Sequence, residues 1–293
     1  MSIRLGANPI IWSNDDLREL GADTSLETCL REAQQIGFEG MELGHKFPRD
    51  VPALTEILGR YRLACVSGWY SAELLVRSAE TEMTHLRAHL DLLKATGSTV
   101  LVFAEVTRAI HGDLYKPLSE RPRLSAGDWE QLGGRVSEVA RRTAAEGVRL
   151  AYHHHMGTVV QSAADIDALM AATGPEVGLL LDTGHASFAG IDPVALAQRY
   201  AQRIVHLHAK DVRPGIAAQA VREDWSFLRA VVAGVFTVPG DGWIPFERVF
   251  AELRPYSGWV VLEAEQDPKK ADPMTYASLG FRNLQRLVAE NLR

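Results

Sequence analysis

Short runs of apolar and β-branched residues alternate with longer stretches whose apolar residues recur every three to four positions, from one end of the chain to the other. The first pattern suits strands buried on both faces, and the second suits amphipathic helices packed against them. Eight strands are predicted, near Leu5–Trp12, Gly37–Gly44, Leu63–Tyr70, Thr99–Glu105, Val148–His155, Val177–Asp182, Ile204–Ala209 and Gly258–Glu265, each followed by a helical pattern. The helix boundaries carry their own chemistry. Thr24 with Glu27, and Ser162 with Asp165, have the spacing of capping boxes; Asp192-Pro193 and Asp272-Pro273 put an acceptor at the cap and proline in the first turn. Gly37, Gly97, Gly147 and Gly174 are predicted to close helices ahead of the next strand.

Eight such units in 293 residues predict one α/β domain over residues 1–293, a (β/α)8 barrel rather than a doubly wound sheet. Two connections, 106–127 and 211–242, exceed the usual loop length. Both follow a strand, so both belong above the carboxyl-end rim of the barrel, where substrate loops sit.

Composition narrows the function. With 46% hydrophobic and 23% charged residues the chain is an ordinary globular one, and 31 Lys+Arg against 37 Asp+Glu (net −6) argue against a protein built to hold nucleic acid. The opening MSIRLGANPIIW lacks a signal-peptide core and no later run is long enough to span a bilayer, so a cytoplasmic protein away from membranes is expected. Cys29 and Cys65, far apart, are expected to be buried free thiols. There is no GxGxxG after the first strand, no GxxxxGK, no GxSxG and no HExxH, which leaves nicotinamide, nucleotide-phosphate and serine-hydrolase chemistry without support.

The distinctive feature is where ionisable groups fall. Six of the ten histidines lie between His153 and His208. Glu42 ends the second strand, Glu105 the fourth, His153 and His155 the fifth, Asp182 the sixth, His206 and His208 the seventh, and Glu263 and Glu265 the eighth. Strand side chains alternate, so His153 and His155 share one face while His154 points into the helical layer. Carboxylates and imidazoles converging at a barrel mouth suit a divalent cation such as Mn²⁺, Co²⁺, Fe²⁺ or Zn²⁺, because so many buried charges are costly without a counter-charge. Asp182, after the apolar run VGLLL, and Glu263, after an apolar strand, read as ligands; His208 sits one step from the rim, with Lys210 beyond it. His206, two residues deeper, reads as a hydrogen-bonded core residue. His185 either contacts substrate or caps a helix, and Glu265 either joins the site or faces solvent. Trp12, Trp69 and Tyr70 either wall a pocket or pack the core. His85, His89 and His111 carry no assignment.

The strings LLLDTGHASFAG, HLHAKD and VVLEAEQDP resemble the xylose-isomerase-like superfamily of divalent-metal barrels. Within it, GFEGMELGHKFPRD, AYHHHMGTVV, FTVPGDG and LEAEQDPKKADP resemble the inosose dehydratase family of inositol catabolism, over a match that runs from Gly6 to the last helix. That resemblance implies loss of water from 2-keto-myo-inositol (scyllo-inosose), a small cyclic polyol ketone, to give a trihydroxycyclohexane-1,2-dione. It also implies a metal, Mn²⁺ or Co²⁺, held by Asp182, His208 and Glu263, with His153 at the position where the wider superfamily carries Glu. Imidazole in place of carboxylate removes one negative charge from the ligand set and leaves the cation more Lewis-acidic. The family is associated with glutathione, for which no residue pattern here marks a site. A homo-oligomer is in keeping with such barrels, and no interface is legible.

Dehydrating a β-hydroxyketone requires a polarised ketone, a base for the α-proton and an acid for the departing hydroxyl. His155 is the expected proton-transfer group, with Glu42 or His185 as its partner and Lys210 on substrate oxygens. The alternatives are a sugar or inosose isomerase or epimerase on the same scaffold, a multi-metal phosphodiesterase on DNA, which the net charge disfavours, and a sugar-binding barrel with a decayed site.

Overall fold

The structure is a computed structural model that describes residues 3–254 and 256–292. Eight parallel strands close into a barrel: β1 (Ile3–Ala7), β2 (Gly40–Leu43), β3 (Ala64–Ala72), β4 (Val100–Glu105), β5 (Arg149–His153), β6 (Gly178–Asp182), β7 (Ile204–Ala209) and β10 (Gly258–Leu262). They follow one another around the ring in chain order, and β10 closes it between β7 and β1. Two short strands, β8 (Asp211–Val212) and β9 (Phe236–Thr237), pair antiparallel outside the barrel. All eight predicted barrel strands are therefore present. The first stops at Ala7, because Asn8 caps a 3-10 turn over Pro9–Ile11. The last stops at Leu262, which leaves Glu263 and Glu265 on the loop just beyond the sheet.

Helix ends follow local chemistry with two departures. Ser162 and Asp165 form a full capping box, and Asp192 and Asp272 cap their helices with proline next in line. The first long helix, Leu26–Ile36, is capped by Ser25 rather than Thr24, because the Ser25 hydroxyl accepts the Thr28 N–H. Gly37, Gly97 and Gly147 turn left-handed, at φ of 112°, 77° and 84°. The helix Ala163–Ala172 instead ends on an extended Thr173, so Gly174 closes nothing.

The interior of the barrel is layered. Val100, Val102, Ala151 and Leu180, with Trp69 and Val205 against them, form a small apolar cluster distinct from the large core between strands and helices. Toward the amino ends of the strands, Trp259 and Val66 fill the tube so closely that a Cβ on Gly40 would lie 2.7 Å from Val66 and 2.8 Å from Trp259. The next inward-facing positions above Ala151 and Leu180 are His153 and Asp182, so polar groups top an apolar plug.

Both long connections lie at the carboxyl-end rim. Residues 106–127 contain a 3-10 turn, Leu118–Glu120, and run at their end into the helix Ala126–Ala145. Residues 211–242 are not a plain loop. They hold helices Pro214–Arg222 and Phe227–Ala233 and the strands β8 and β9, because Ala220, Phe227, Leu228 and Val231 give them an apolar face to bury. The two connections are joined: the Leu118 N–H donates to the Trp225 carbonyl at 3.1 Å, and the Ser119 N–H to Asp224 at 3.1 Å. Cys29 and Cys65 are buried free thiols. Among the described residues, no helix is long and apolar enough to cross a membrane.

Candidate active site

At the carboxyl-end mouth, Glu42, His153, His155, Asp182, His185, His206, His208, Lys210, Glu263 and Glu265 are all buried. The alternation of β5 puts His153 on the inner face, and the chain then turns so that His155 follows it, the two rings 5.5 Å apart between centroids. Each ring is pinned by its own backbone: His153 Nδ1–H donates to the His154 carbonyl at 2.7 Å and His155 Nδ1–H to the Met156 carbonyl at 2.8 Å. Carbonyls accept only, so each Nδ1 carries a proton, and in the His155 ring, which burial keeps neutral, Nε2 has a free lone pair. Trp69 packs edge-on against both rings.

Asp182 divides its carboxylate. Oδ1 caps the following short helix by accepting the His185 N–H at 2.7 Å. Oδ2 is buried with no hydrogen-bond partner, 3.6 Å from His153 Nε2 and 3.5 Å from both His208 Nδ1 and Lys210 Nζ. Glu263 lies 2.9 Å from His208 Nδ1 and 2.5 Å from Lys210 Nζ, and it accepts from Asn8 at 2.7 Å. Ligand atoms of His153, Asp182, His185 and Glu263 come within 4.8 Å of one another, close enough for one cation. His208, the remaining predicted ligand, borders this group through Nδ1 while its Nε2 sits with Glu42 and His206 in a neighbouring group.

The donor set fits a divalent cation. Three buried carboxylates, of Asp182, Glu263 and Glu265, surround the single ammonium of Lys210. That excess of negative charge, together with the orphaned Oδ2 of Asp182 and free imidazole nitrogens beside it, calls for positive charge at this spot.

The electrostatics sort the groups. Burial alone would raise the carboxyl of Asp182, but the Lys210 ammonium holds it well below the usual carboxylate range. Burial works against Glu42 in the same way, and His208 and His206 hold it low. Burial would lower His208, yet Glu263 and Glu42 raise it well above the ordinary histidine value. Burial followed by His185 pushes His155 well down, and burial followed by Lys210 does the same to His185, so both rings are neutral.

Several predicted residues need revision. Glu42 is not placed to move a proton, because its oxygens take donors from Ser67, Asn8 (2.7 Å), His206 (2.8 Å) and His208. It instead orients His208, fixing Nε2 toward itself and Nδ1 toward Asp182 and Glu263, as an outer carboxylate does for a metal-binding histidine. Lys210 is wholly enclosed, with Glu265 at 2.6 Å, His185 at 3.1 Å and the Phe236 ring beneath it at 4.6 Å. Glu105 faces away from the tube and accepts the N–H groups of Leu74 and Thr107, which ties down the β3 loop. Glu265 is in the site, not in solvent. His206 is the hydrogen-bonded core residue expected, and His154 is buried in the outer layer with both ring nitrogens unpartnered. Trp12 belongs to the core and Tyr70 turns to Glu82.

The pocket over these groups is also lined by Asn8, Ile10, Asp15 and Asp16 from the segment after β1. His111, from the 106–127 connection, stands 5.1 Å from the His155 ring. These residues were not singled out from sequence, since they lie in irregular segments without a periodic signal. The string GHKFPRD, noted only for its resemblance, explains how that segment is held: His45 binds Asp15, and Lys46 gathers the carbonyls of Gly21, Ala22 and Thr24.

Comparison with known proteins agrees with this architecture. A family model described as xylose isomerase-like TIM barrel matches residues 30–287. The chain is 47% identical over 291 residues to a rhizopine catabolism protein MocC of Rhizobium meliloti, covering 99% of this chain and 90% of that one. It is 42% identical over 279 residues to an inosose dehydratase of Geobacillus thermodenitrificans, covering 94% of each. Among solved structures, a probable 3-DHS dehydratase AsbF of Bacillus anthracis superposes with a TM-score of 0.70 at 14% identity, covering 96% of this chain and 98% of that one. The IOLI protein with a bound zinc atom does so with a TM-score of 0.64 at 15% identity, covering 99% and 98%. The two superpositions bear on the fold alone; with the family match and the full-length relatives, they mean that this chain belongs to the xylose isomerase-like TIM barrel family, within its inosose dehydratase group.

Proposed function

We propose that the protein is a metal-dependent hydro-lyase that removes water from scyllo-inosose in inositol catabolism, giving a trihydroxycyclohexane-1,2-dione. The observation that carries this reading is the pairing of two kinds of group in one pocket. A set of candidate ligands (His153, Asp182 and Glu263, with His208 Nδ1 bordering them at 3.5 Å from Asp182 and 2.9 Å from Glu263) stands beside His155, a neutral imidazole with a free Nε2. The full-length similarity to inosose dehydratases supplies the substrate class.

Mn²⁺ or Co²⁺ suits two carboxylates and two imidazoles, and when bound it supplies Lewis acidity at the ketone oxygen. The chain's own groups do the rest. His155 Nε2 takes the α-proton, and its electron pair becomes a carbon–carbon double bond as the β-hydroxyl departs. The leaving oxygen takes that proton back from the His155 imidazolium so formed and leaves as water, while neutral His185, held by the Met156 N–H and Glu265, packs against the His155 ring at 3.9 Å between centroids. The α-hydroxyl then stands on an enol, which tautomerises to the dione. Lys210, paired with Glu263 and Glu265, holds those carboxylates in place and offsets their charge.

Asp182→Asn is expected to lose metal and turnover together. His155→Ala is expected to keep its metal, measured by elemental analysis, while kcat falls by about 10²–10⁴. Loss of metal from His155→Ala would contradict the separation of ligand from proton acceptor.

A further inference from the structure

The wall of the pocket facing the cation-ready group has a polar chemistry that the proposed reaction leaves unused. Asp16 lines the pocket, and among the described residues no donor hydrogen-bonds its carboxylate; its nearest basic neighbour there is His111 Nε2 at 3.8 Å. Its position is built. Asn14 Oδ1 accepts the N–H groups of Asp16 (2.8 Å) and Leu17 (2.7 Å), turning the backbone so that Asp16 faces inward. Next to it, Asp15 is held by His45 at 2.6 Å, with Gly44 leaving it room: a Cβ there would lie 3.3 Å from Asp15 Oδ1. Lys46 closes the far end of the same segment, its ammonium 2.7 Å from the Gly21 carbonyl.

A second acceptor faces the same space. Glu265 is 1% exposed and lines the pocket; Oε1 is engaged by Lys210, but Oε2 has no hydrogen-bond partner. A buried carboxylate oxygen without a donor is costly, and a ligand that brings hydroxyl donors removes that cost. Burial, with Glu265 and Asp15 nearby, pushes the Asp16 carboxyl up to about 7, so near neutral pH Asp16 both accepts from and donates to hydroxyls, while Glu265 Oε2 offers an acceptor from a separate loop. The pair therefore selects a ligand edge rich in hydroxyls, which donate and accept, over one that presents carboxylate or phosphate oxygens.

We infer that Asp16 and Glu265 Oε2 form a hydroxyl-recognition subsite that grips the ring hydroxyls of a cyclic polyol on the side away from the reacting ketone. Asp16 is then a specificity-determining residue for the proposed reaction, and GHKFPRD is the clamp that holds it in place. The inference rests on the reading of the protein as a polyol-ketone enzyme.

The test is calorimetric titration of the metal-loaded protein with scyllo-inosose, and with inositols lacking one hydroxyl at a time, using wild type, Asp16→Ala and Asp16→Asn. Hydrogen bonds to a carboxyl in a pocket predict that Asp16→Ala weakens scyllo-inosose binding about ten-fold, with Asp16→Asn in between. Metal content should match wild type. One deoxy-inositol should bind wild type more weakly by a similar factor and lose nothing further in Asp16→Ala. Equal Kd for wild type and Asp16→Ala, or equal further losses for every deoxy compound, would overturn the subsite. A wild type that binds scyllo-inosose without converting it would sink the dehydratase reading and leave the subsite to be judged by these same Kd ratios. A wild type that binds none of these polyols would overturn both.

Discussion

Glu42 shows how the place of a single side chain can be legible in sequence while the partners that bear on its task are not. Its position at the end of β2 is legible from the strand pattern, but its partners are not, since Asn8, Ser67, His206 and His208 come from three other strands or their loops. With those donors around it the carboxylate stays ionised and aims His208 Nδ1 at Asp182 and Glu263. Glu42→Gln should therefore weaken metal affinity about 10–100-fold in a competition titration while leaving the fold intact. Unchanged affinity would mean that Glu42 does not set the orientation of His208. The tautomers of His153 and His155 are a similar case: alternation predicts their shared direction, whereas the carbonyls of His154 and Met156 that fix their protons appear only once the chain turns.

At the scale of elements, the eight barrel strands were readable because each is a compact apolar run closed by turn chemistry, and the caps at Ser162, Asp192 and Asp272 follow from one or two residues. The rim was not readable in this way. Residues 211–242 fold into two helices and a two-stranded ribbon, whose register depends on Asp211 accepting N–H groups from Val212, Gly242, Trp243 and Ile244 at 2.8–3.1 Å and from Gly240 at 3.3 Å. No spacing rule announces one carboxylate serving a segment thirty residues away. Asp211→Ala would strand several buried donors and should cost about 3 kcal/mol or more in denaturant unfolding, a size that marks a lost buried network. A change below about 0.5 kcal/mol, as at an ordinary surface position, would show that the segment is held by other contacts.

For the molecule as a whole, the apolar plug and the ionisable layer above it divide labour: the plug and outer core supply stability, and the layer gathers carboxylates and imidazoles that could hold a cation. Binding to the folded state alone links the two, so removing metal with a chelator should lower the melting temperature, and restoring it at about 100 times Kd should return about 2.7 kcal/mol. A melting temperature indifferent to chelator and metal would contradict a cation site in this layer. The central claim, metal-dependent loss of water from scyllo-inosose, is tested most directly by incubating the purified protein with that substrate, with and without chelator, and measuring the product mass. The account predicts a product lighter than substrate by one water, formed only with metal present; an isomer of unchanged mass, or equal conversion in chelator, would contradict it.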